Sequence, residues 1–122
     1  MLVVVSPAKK LDMTPMDVSG LTEPMFPAET RELVQVANRL SKAQLQKLMG
    51  ISGPLAELNQ NRFANFGNQM RKAAAYAFAG DTYQGLEADS LESDEISWAQ
   101  SHLRILSGLY GLLRPLDEIE PY

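Results

Sequence analysis

The chain has 122 residues, enough for at most one ordinary domain, and it shows no internal repeat. Its hydrophobic content of 45% is normal for a globular protein, and the lack of Cys excludes disulfides, thiolate catalysis and Cys-ligated zinc. The net charge of −4 argues against a generic nucleic-acid binder. Because the apolar run over 2–5 is too short for a signal peptide and nothing reaches the length of a membrane span, we expect a cytoplasmic protein with no membrane partner.

The pattern of the first forty residues predicts one strand, a long loop and one helix. Residues 2–6 form a β-branched run without alternation, which is typical of a strand buried on both faces. The rest of the sequence offers this strand almost no partner. Three prolines and a glycine over 13–28 predict an extended loop. Thr30 is expected to cap a helix over about 31–40.

Two short helices around a tight turn are predicted next. Ser41 is a suitable cap for the first helix, and Gly50 is suited to end it in the left-handed conformation. Pro54 is suited to start the second helix, which we expect to run toward Phe66. Over about 41–66 the pattern is that of a helix-hairpin-helix, a unit whose turn presents backbone N–H groups to phosphate.

The residues of this turn agree only partly with the usual motif. Gly50, Ile51 and Ala56 match it, whereas Ser52 stands where a second glycine is usual. The Ser52 hydroxyl can still donate to a phosphate oxygen. The alternative interpretation is an ordinary helical corner in an α-rich core.

The rest of the chain indicates further helices, so the predicted class is α/β and α-rich. Residues 71–78 have helical character, and Thr82–Tyr83 are expected to begin a short strand. A helix capped by Ser93 or Asp94 is expected to continue to Gly108. Residues 109–113 are expected to follow as an apolar turn and helix.

The net charge hides a strong asymmetry along the chain. Between 38 and 74 there are six bases and the single acid Glu57, giving a local charge of +5. Between 81 and 95 there are six acids and no base. The predicted hairpin lies in the basic block, a coincidence that favours a polyanion as the partner. The alternative interpretation is that both charged blocks are solvated faces, whose charges pair with neighbouring segments of the protein.

Signals for other chemistry are weaker. His102 is the only histidine, so a His-based metal cluster is not available, and a structural role is favoured. The turn over 6–9 could hold a phosphate through Lys9, although it lacks the glycines of a P-loop. Residues 107–111 form a second apolar segment with glycines, flanked by Arg104 and Arg114. This segment is either a second DNA contact or a plain helix corner.

Several strings together resemble the YaaA family of bacterial peroxide-stress proteins. They are Ser6-Pro7-Ala8-Lys9 with Leu11-Asp12, Leu58-Asn59 with Arg62-Phe63, Ala79-Gly80-Asp81-Thr82-Tyr83 with Gly85-Leu86, and the continuous run from His102 to Asp117. The last string is long and specific to the family, and the similarity extends through essentially all of 1–122.

The resemblance to this family implies a chain length, a fold and a function that the hydrophobic periodicity alone does not indicate. Family members are about twice this length, so 1–122 is expected to be the N-terminal part of a single domain and incomplete as a fold. The family's fold is an unusual α/β one with a helix-hairpin-helix beside a basic cleft. Its members are associated with protection from hydrogen peroxide, with limiting free intracellular iron and with binding DNA, including non-B structures. The resemblance implies no catalytic residue, and it suggests basic cleft positions at Lys9, Arg62, Arg104 and Arg114.

The leading hypothesis is therefore a DNA-binding protein of the peroxide stress response, without a cofactor or metal of its own. The expected phosphate-contacting residues are Lys9, Lys47, Gly50, Ile51, Ser52, Gly53, Arg62, Arg104 and Arg114. The rival is an enzyme that binds a phosphorylated small molecule or a nucleic-acid end in a pocket of Lys9, Arg104 and Arg114. Direct iron binding by the acidic residues of 87–95 is the weakest alternative. An incomplete sheet would also allow self-association of the chain.

Overall fold

Six α-helices and five short strands form a mixed α/β structure, described for residues 1–122 by a computed structural model. The helices are α1 (Pro27–Ala37), α2 (Lys42–Met49), α3 (Gly53–Ala64), α4 (Ala74–Ala77), α5 (Asp81–Leu86) and α6 (Ser93–His102). The strands are β1 (Val3–Val5), β2 (Lys72–Ala73), β3 (Leu103–Ser107), β4 (Gly111–Leu113) and β5 (Glu118–Ile119). The α/β class predicted from the sequence is confirmed. No helix combines the length and the apolar character that crossing a membrane requires.

The main sheet has three strands in the order β1-β3-β4. β1 runs parallel to β3, with Val4 opposite Arg104, and β4 runs antiparallel to β3, with Leu112 opposite Leu106. A separate antiparallel pair joins β2 to β5. The expectation that β1 lacks a partner was wrong, because residues 103–107 continue from α6 as a strand and not as more helix.

β1 is also less buried than its apolar sequence predicts. Val3 and Val4 are 42% and 49% exposed, so the prediction of a strand covered on both faces does not hold for these residues. The unbroken valine run correctly indicates extended structure, yet within this chain only part of the strand is covered by other elements.

Four other element boundaries differ from the sequence expectation. α1 begins at Pro27, and Thr30 lies inside it as a buried residue whose hydroxyl donates to Leu109 O. α3 ends at Ala64 rather than near Phe66. Thr82 and Tyr83 belong to α5, and 111–113 is strand β4. The start of α1 follows a local signal, because Pro27 suits the first turn of a helix. For 111–113 the pattern fits more than one element, and pairing with β3 makes the segment a strand.

The core lies between the inner face of the main sheet and the helices. Ile105, Leu113 and Ile119 are fully buried there. From α2 and α3, three buried side chains join the same cluster: Leu45, Ala56 and Phe63. These contacts fix the helical pair to the body of the protein and leave the turn between α2 and α3 at the surface.

Candidate nucleic-acid interface

The turn between α2 and α3 is built by two successive caps. Ser41 and Gln44 form a capping box at the start of α2. Gly50 ends the helix with φ +62°, and the N–H groups of Gly50 and Ile51 both donate to Gln46 O. Ser52 then caps α3 because its Oγ accepts a hydrogen bond from Leu55 N at 3.4 Å. The predicted end of α2 at Gly50 and the predicted start of α3 at Pro54, within one residue, are confirmed. That this turn works as a helix-hairpin-helix, binding phosphate, stays a prediction.

This turn leaves donors without protein acceptors at the N-terminus of α3. Ser52 N has no backbone or side-chain partner, and Gly53 N occupies the first helical position, where no intrahelical acceptor exists. The Ser52 Oγ already accepts from Leu55 N, so its own proton is free for another oxygen. The N-terminal end of the helix dipole adds partial positive charge at the same point. Such an arrangement suits an anion.

Lys9 and Lys42 lie beside the turn, and Lys47 lies just before it in the last turn of α2. Lys9 Nζ donates to Gly50 O at 3.2 Å, which attaches the loop after β1 to the end of α2. Lys47 is exposed and has no carboxylate within ion-pairing distance. Lys42 Cε would lie 3.8 Å from a Cβ added at Gly53, and its Nζ is 3.6 Å from a Glu57 carboxylate oxygen.

Lys42 is the turn residue that the expected set left out. Gln46 Oε1 also lies close to Gly53, at 3.9 Å from the position of an added Cβ. Residues four apart share one face of a helix, so the spacing of Lys42 and Gln46 places both side chains on the side of α2 that meets α3. This four-residue spacing is the feature of the sequence from which Lys42 could have been assigned to the turn.

Arg62 lies at the other end of α3 from the turn. A helix rises about 1.5 Å per residue, so the ten positions from Ser52 to Arg62 span about 15 Å. The guanidinium is half-buried, its NH1 lies 3.5 Å from Tyr122 O, and burial lowers its pKa. Arg62 is therefore separate from the lysines at the turn.

Arg104 is engaged at the junction of α6 and β3. Its NH1 donates to Gln100 O and Leu103 O, each at 2.9 Å. These are carbonyls of the end of the helix, where a cation interacts favourably with the helix dipole. The contacts give Arg104 a structural role at this junction.

Arg114 belongs to a hydrogen-bonded turn around the buried Asp117. The Asp117 carboxylate accepts from Arg114 N at 2.8 Å and Arg114 Nε at 3.1 Å, and it also accepts from Thr22 Oγ1. Arg114 NH2 donates to Glu23 O at 2.9 Å. Much of the guanidinium's donor capacity is thus used within the protein.

The residues of the rival enzyme hypothesis contact different partners. Lys9 bonds to the α2 terminus, Arg104 to the α6 terminus and Arg114 to the Asp117 turn. None of the three principal clefts is lined by any of them. No observation of the structure therefore joins these three side chains in one pocket.

The segment 107–111 is the turn of a β-hairpin and not a corner between helices. Ser107 Oγ accepts from Leu109 N and Tyr110 N, so these backbone donors are satisfied inside the turn. Tyr110 is buried, and its hydroxyl accepts from Glu120 N at 2.9 Å. The geometry differs from that of the α2–α3 turn, where the donors are free.

Other polar groups do not assemble into a metal centre. No group of three or more His, Asp or Glu side chains is arranged to hold an ion, and this includes the acidic residues of 87–95. His102 stacks on Trp98 with ring centroids 4.1 Å apart, and its Nδ1 lies 2.8 Å from Trp98 O. Trp98 itself is 59% exposed.

A mixed α/β protein with a basic turn between two packed helices is the class that the fold and the surface define. The family model described as peroxide stress protein YaaA matches residues 1–122, and the chain belongs to this family. The resemblance seen in the sequence is thereby confirmed.

Curated relatives give the same family over the whole chain. UPF0246 proteins of Ruegeria pomeroyi and Dinoroseobacter shibae are both 56% identical over 126 residues. A UPF0246 protein of a Jannaschia species is 55% identical over 124 residues. The alignments cover 100% of this chain but only 49%, 47% and 48% of those relatives. The chain therefore spans about half the length of the curated relatives it matches.

Proposed function

We propose that the chain carries the DNA-backbone contact of a peroxide stress protein. Family membership supplies the link to peroxide stress. The observation that supports DNA as the partner is the coincidence of free donors at the N-terminus of α3 with Lys9 and the unpaired Lys47. Both features favour the same ligand chemistry, a phosphate oxygen.

The proposed contact recognises phosphate and not base sequence. Ser52 N–H, Ser52 O–H and Gly53 N–H donate to one phosphate group, while Lys9 and Lys47 contribute positive charge beside it. Lys42 provides further charge because its carboxylate partner, Glu57, forms an exposed pair that is weak in water. Arg62 is an outlying contact at the far end of α3, and Arg104 and Arg114 support the surrounding structure.

We propose that any effect on intracellular iron is indirect. Hard oxygen ligands bind iron tightly only when several converge on one point, and the carboxylates of 87–95 do not converge. Binding to DNA would connect the protein to oxidative damage without requiring iron to be held by this chain.

Fluorescence anisotropy with labelled duplex and four-way-junction DNA, over a series of salt concentrations, tests the proposal. Affinity is expected to fall steeply with salt and to depend little on base sequence. Lys47→Glu is expected to weaken binding about tenfold on every sequence and to reduce the salt slope by about one. Gly50→Val is expected to abolish binding, because φ +62° strains a β-branched residue and distorts the turn.

Arg31→Glu is the matched control, since it makes the same change of net charge at an exposed position on α1 outside the basic block. Its effect is expected to be small and limited to long-range repulsion. Equal loss of affinity in Arg31→Glu and Lys47→Glu would contradict a specific contact at the turn. Absence of binding at low salt would contradict the proposed function of this chain as a whole.

A further inference from the structure

A cleft of about 260 Å³ lies between the loop that follows β1, the segment β2–α4 and the helix α5 with the turn after it. Most of its lining residues are apolar, and they include Met16, Phe78 and Ala88. A small number of polar and charged side chains lie among them. A mainly apolar cavity with a few polar groups is the usual form of a small-molecule site.

Lys72 lines this cleft and is the only base among the buried residues. Its side chain is 8% exposed, and its Nζ donates to Asp12 O at 2.9 Å. An ammonium group has three N–H donors, so this bond leaves two of them without a protein acceptor. A buried charge with unused donors costs free energy, which a negatively charged acceptor from a ligand would offset.

The Asp12 carboxylate does not fill this need. Its Oδ1 lies 3.9 Å from Lys72 Nζ, which is too far for a hydrogen bond. The same oxygen accepts from Thr14 N at 3.0 Å, and the Asp12 side chain is 57% exposed. Hydrogen bonds from Thr14, more than the charge of Lys72, lower the pKa of Asp12. Thr14 therefore holds this carboxylate at the surface and away from the ammonium.

A carboxylate without a partner lies in the same cleft. Asp89 lines the cleft, is exposed and forms no ion pair. It lies near the phenol of Tyr76, since burial first and the charge of Asp89 second raise the pKa of that phenol. Lys72 is buried in the wall whereas Asp89 is exposed to solvent. The cleft thus presents a cation inside and an anion toward its mouth.

These opposite charges restrict the class of ligand. A simple anion would be attracted by Lys72 but repelled by Asp89 and Asp12, whereas a simple cation would be repelled by Lys72. We propose that the cleft binds a free α-amino acid. Its carboxylate accepts from Lys72 Nζ, its ammonium group donates to the Asp89 carboxylate, and its side chain packs against the apolar walls.

The volume of the cleft fits an amino acid of intermediate size. At about 30 Å³ per non-hydrogen atom, the share of one water molecule in the liquid, the cleft holds about nine such atoms. Leucine and methionine have this size, and their apolar side chains suit walls that include Met16 and Phe78. No residue of the α2–α3 turn lines the cleft, so this site is independent of the proposed phosphate contact.

Isothermal titration calorimetry of the 122-residue chain with L-leucine tests the proposal. Two analogues separate the charges of the ligand: 4-methylpentanoate lacks the ammonium group, and 3-methylbutylamine lacks the carboxylate. L-leucine is expected to bind, and each analogue is expected to bind at least about tenfold more weakly, because it loses one charge-assisted hydrogen bond.

Two variants test the two ends of the site. Lys72→Met removes the ammonium but keeps an unbranched apolar stem, and Asp89→Asn removes the carboxylate at an exposed position where folding is not at risk. Each is expected to weaken L-leucine binding by about tenfold or more. Lys10→Met is the matched control, because Lys10 is exposed and acts on Asp12 but does not line the cleft. Circular dichroism checks that each variant is folded.

Three results would overturn the proposal. The first is the absence of L-leucine binding to the parent chain. The second is binding of 4-methylpentanoate as tight as that of L-leucine, because the site would then be one for simple anions. The third is unchanged L-leucine binding in Asp89→Asn or in folded Lys72→Met, because the amino acid would then bind elsewhere.

Discussion

At the scale of single residues, Asp117 connects three separate segments of the chain through one buried carboxylate. The carboxylate is fully buried and pairs with Arg114. It also accepts from Thr22 Oγ1, to which Gln100 Nε2 donates at 3.0 Å. Through these contacts one carboxylate joins the loop before α1, the helix α6 and the turn before β5. The position of Arg114 is therefore explained without a ligand.

Asp117→Asn is expected to destabilise the protein by on the order of 3 kcal/mol, because it leaves Arg114 without its buried partner and turns an amide N–H₂ toward donors. Asp17→Asn is the control, since Asp17 is exposed and forms no hydrogen bond or ion pair, and its effect should stay within about 0.5 kcal/mol. Urea unfolding measures both. Equal stability of the two variants would contradict the structural role of Asp117.

At the scale of elements, the β3–β4 hairpin depends on one glycine. Gly111 has φ +79°, and an added Cβ would lie 3.0 Å from Phe26 Cδ2. The residue therefore needs both the left-handed conformation and the absence of a side chain. Gly85 provides the contrast, because it lies inside α5 and an added Cβ meets nothing within 4 Å.

Gly111→Ala is expected to cost about 1–3 kcal/mol from backbone strain and the contact with Phe26. Gly85→Ala is expected to stabilise the protein by about 0.5–1 kcal/mol, because Ala has the higher helix propensity. Thermal melts followed by circular dichroism compare the two variants. The reasoning about the hairpin would be refuted by a Gly111→Ala protein as stable as the parent.

The same elements show where prediction from the sequence succeeds and where it stops. The caps at Ser41 and Gly50 were predictable because a helix end depends on a few neighbouring residues. Strand β3 was not, because the pattern of 103–107 fits a helix as well, and only pairing with the distant β1 decides between them. The basic turn was located from charge and glycine spacing. The hydrogen bonds of Arg104 and Arg114 could not be predicted in the same way, because they depend on backbone carbonyls and a carboxylate that only the fold brings close to these side chains.

At the scale of the whole molecule, buried phenols connect distant parts of the chain. Tyr83 in α5 donates to Ser6 O at 2.5 Å, which links the helix to the loop after β1. Tyr122 shares a hydrogen bond with Ser107 and packs edge-on against Tyr110 at a centroid distance of 5.8 Å. Burial raises the pKa of all three phenols, and that of Tyr83 reaches about 12. Stability should therefore depend on these phenols remaining protonated.

The protein is expected to lose stability in alkaline solution. A phenol with a pKa of 10.0 when unfolded and about 12 when folded contributes its stabilisation fully below pH 10 and loses it as the pH rises toward 12. For Tyr83 the loss is on the order of 2 kcal/mol. Tyr83→Phe is expected to lower stability at neutral pH, because Ser6 O loses its donor, and to reduce the decline between pH 10 and 12. Urea unfolding over this pH range, with tyrosinate absorbance recorded in parallel, measures both effects. An unchanged alkaline slope in Tyr83→Phe would assign the decline to other groups.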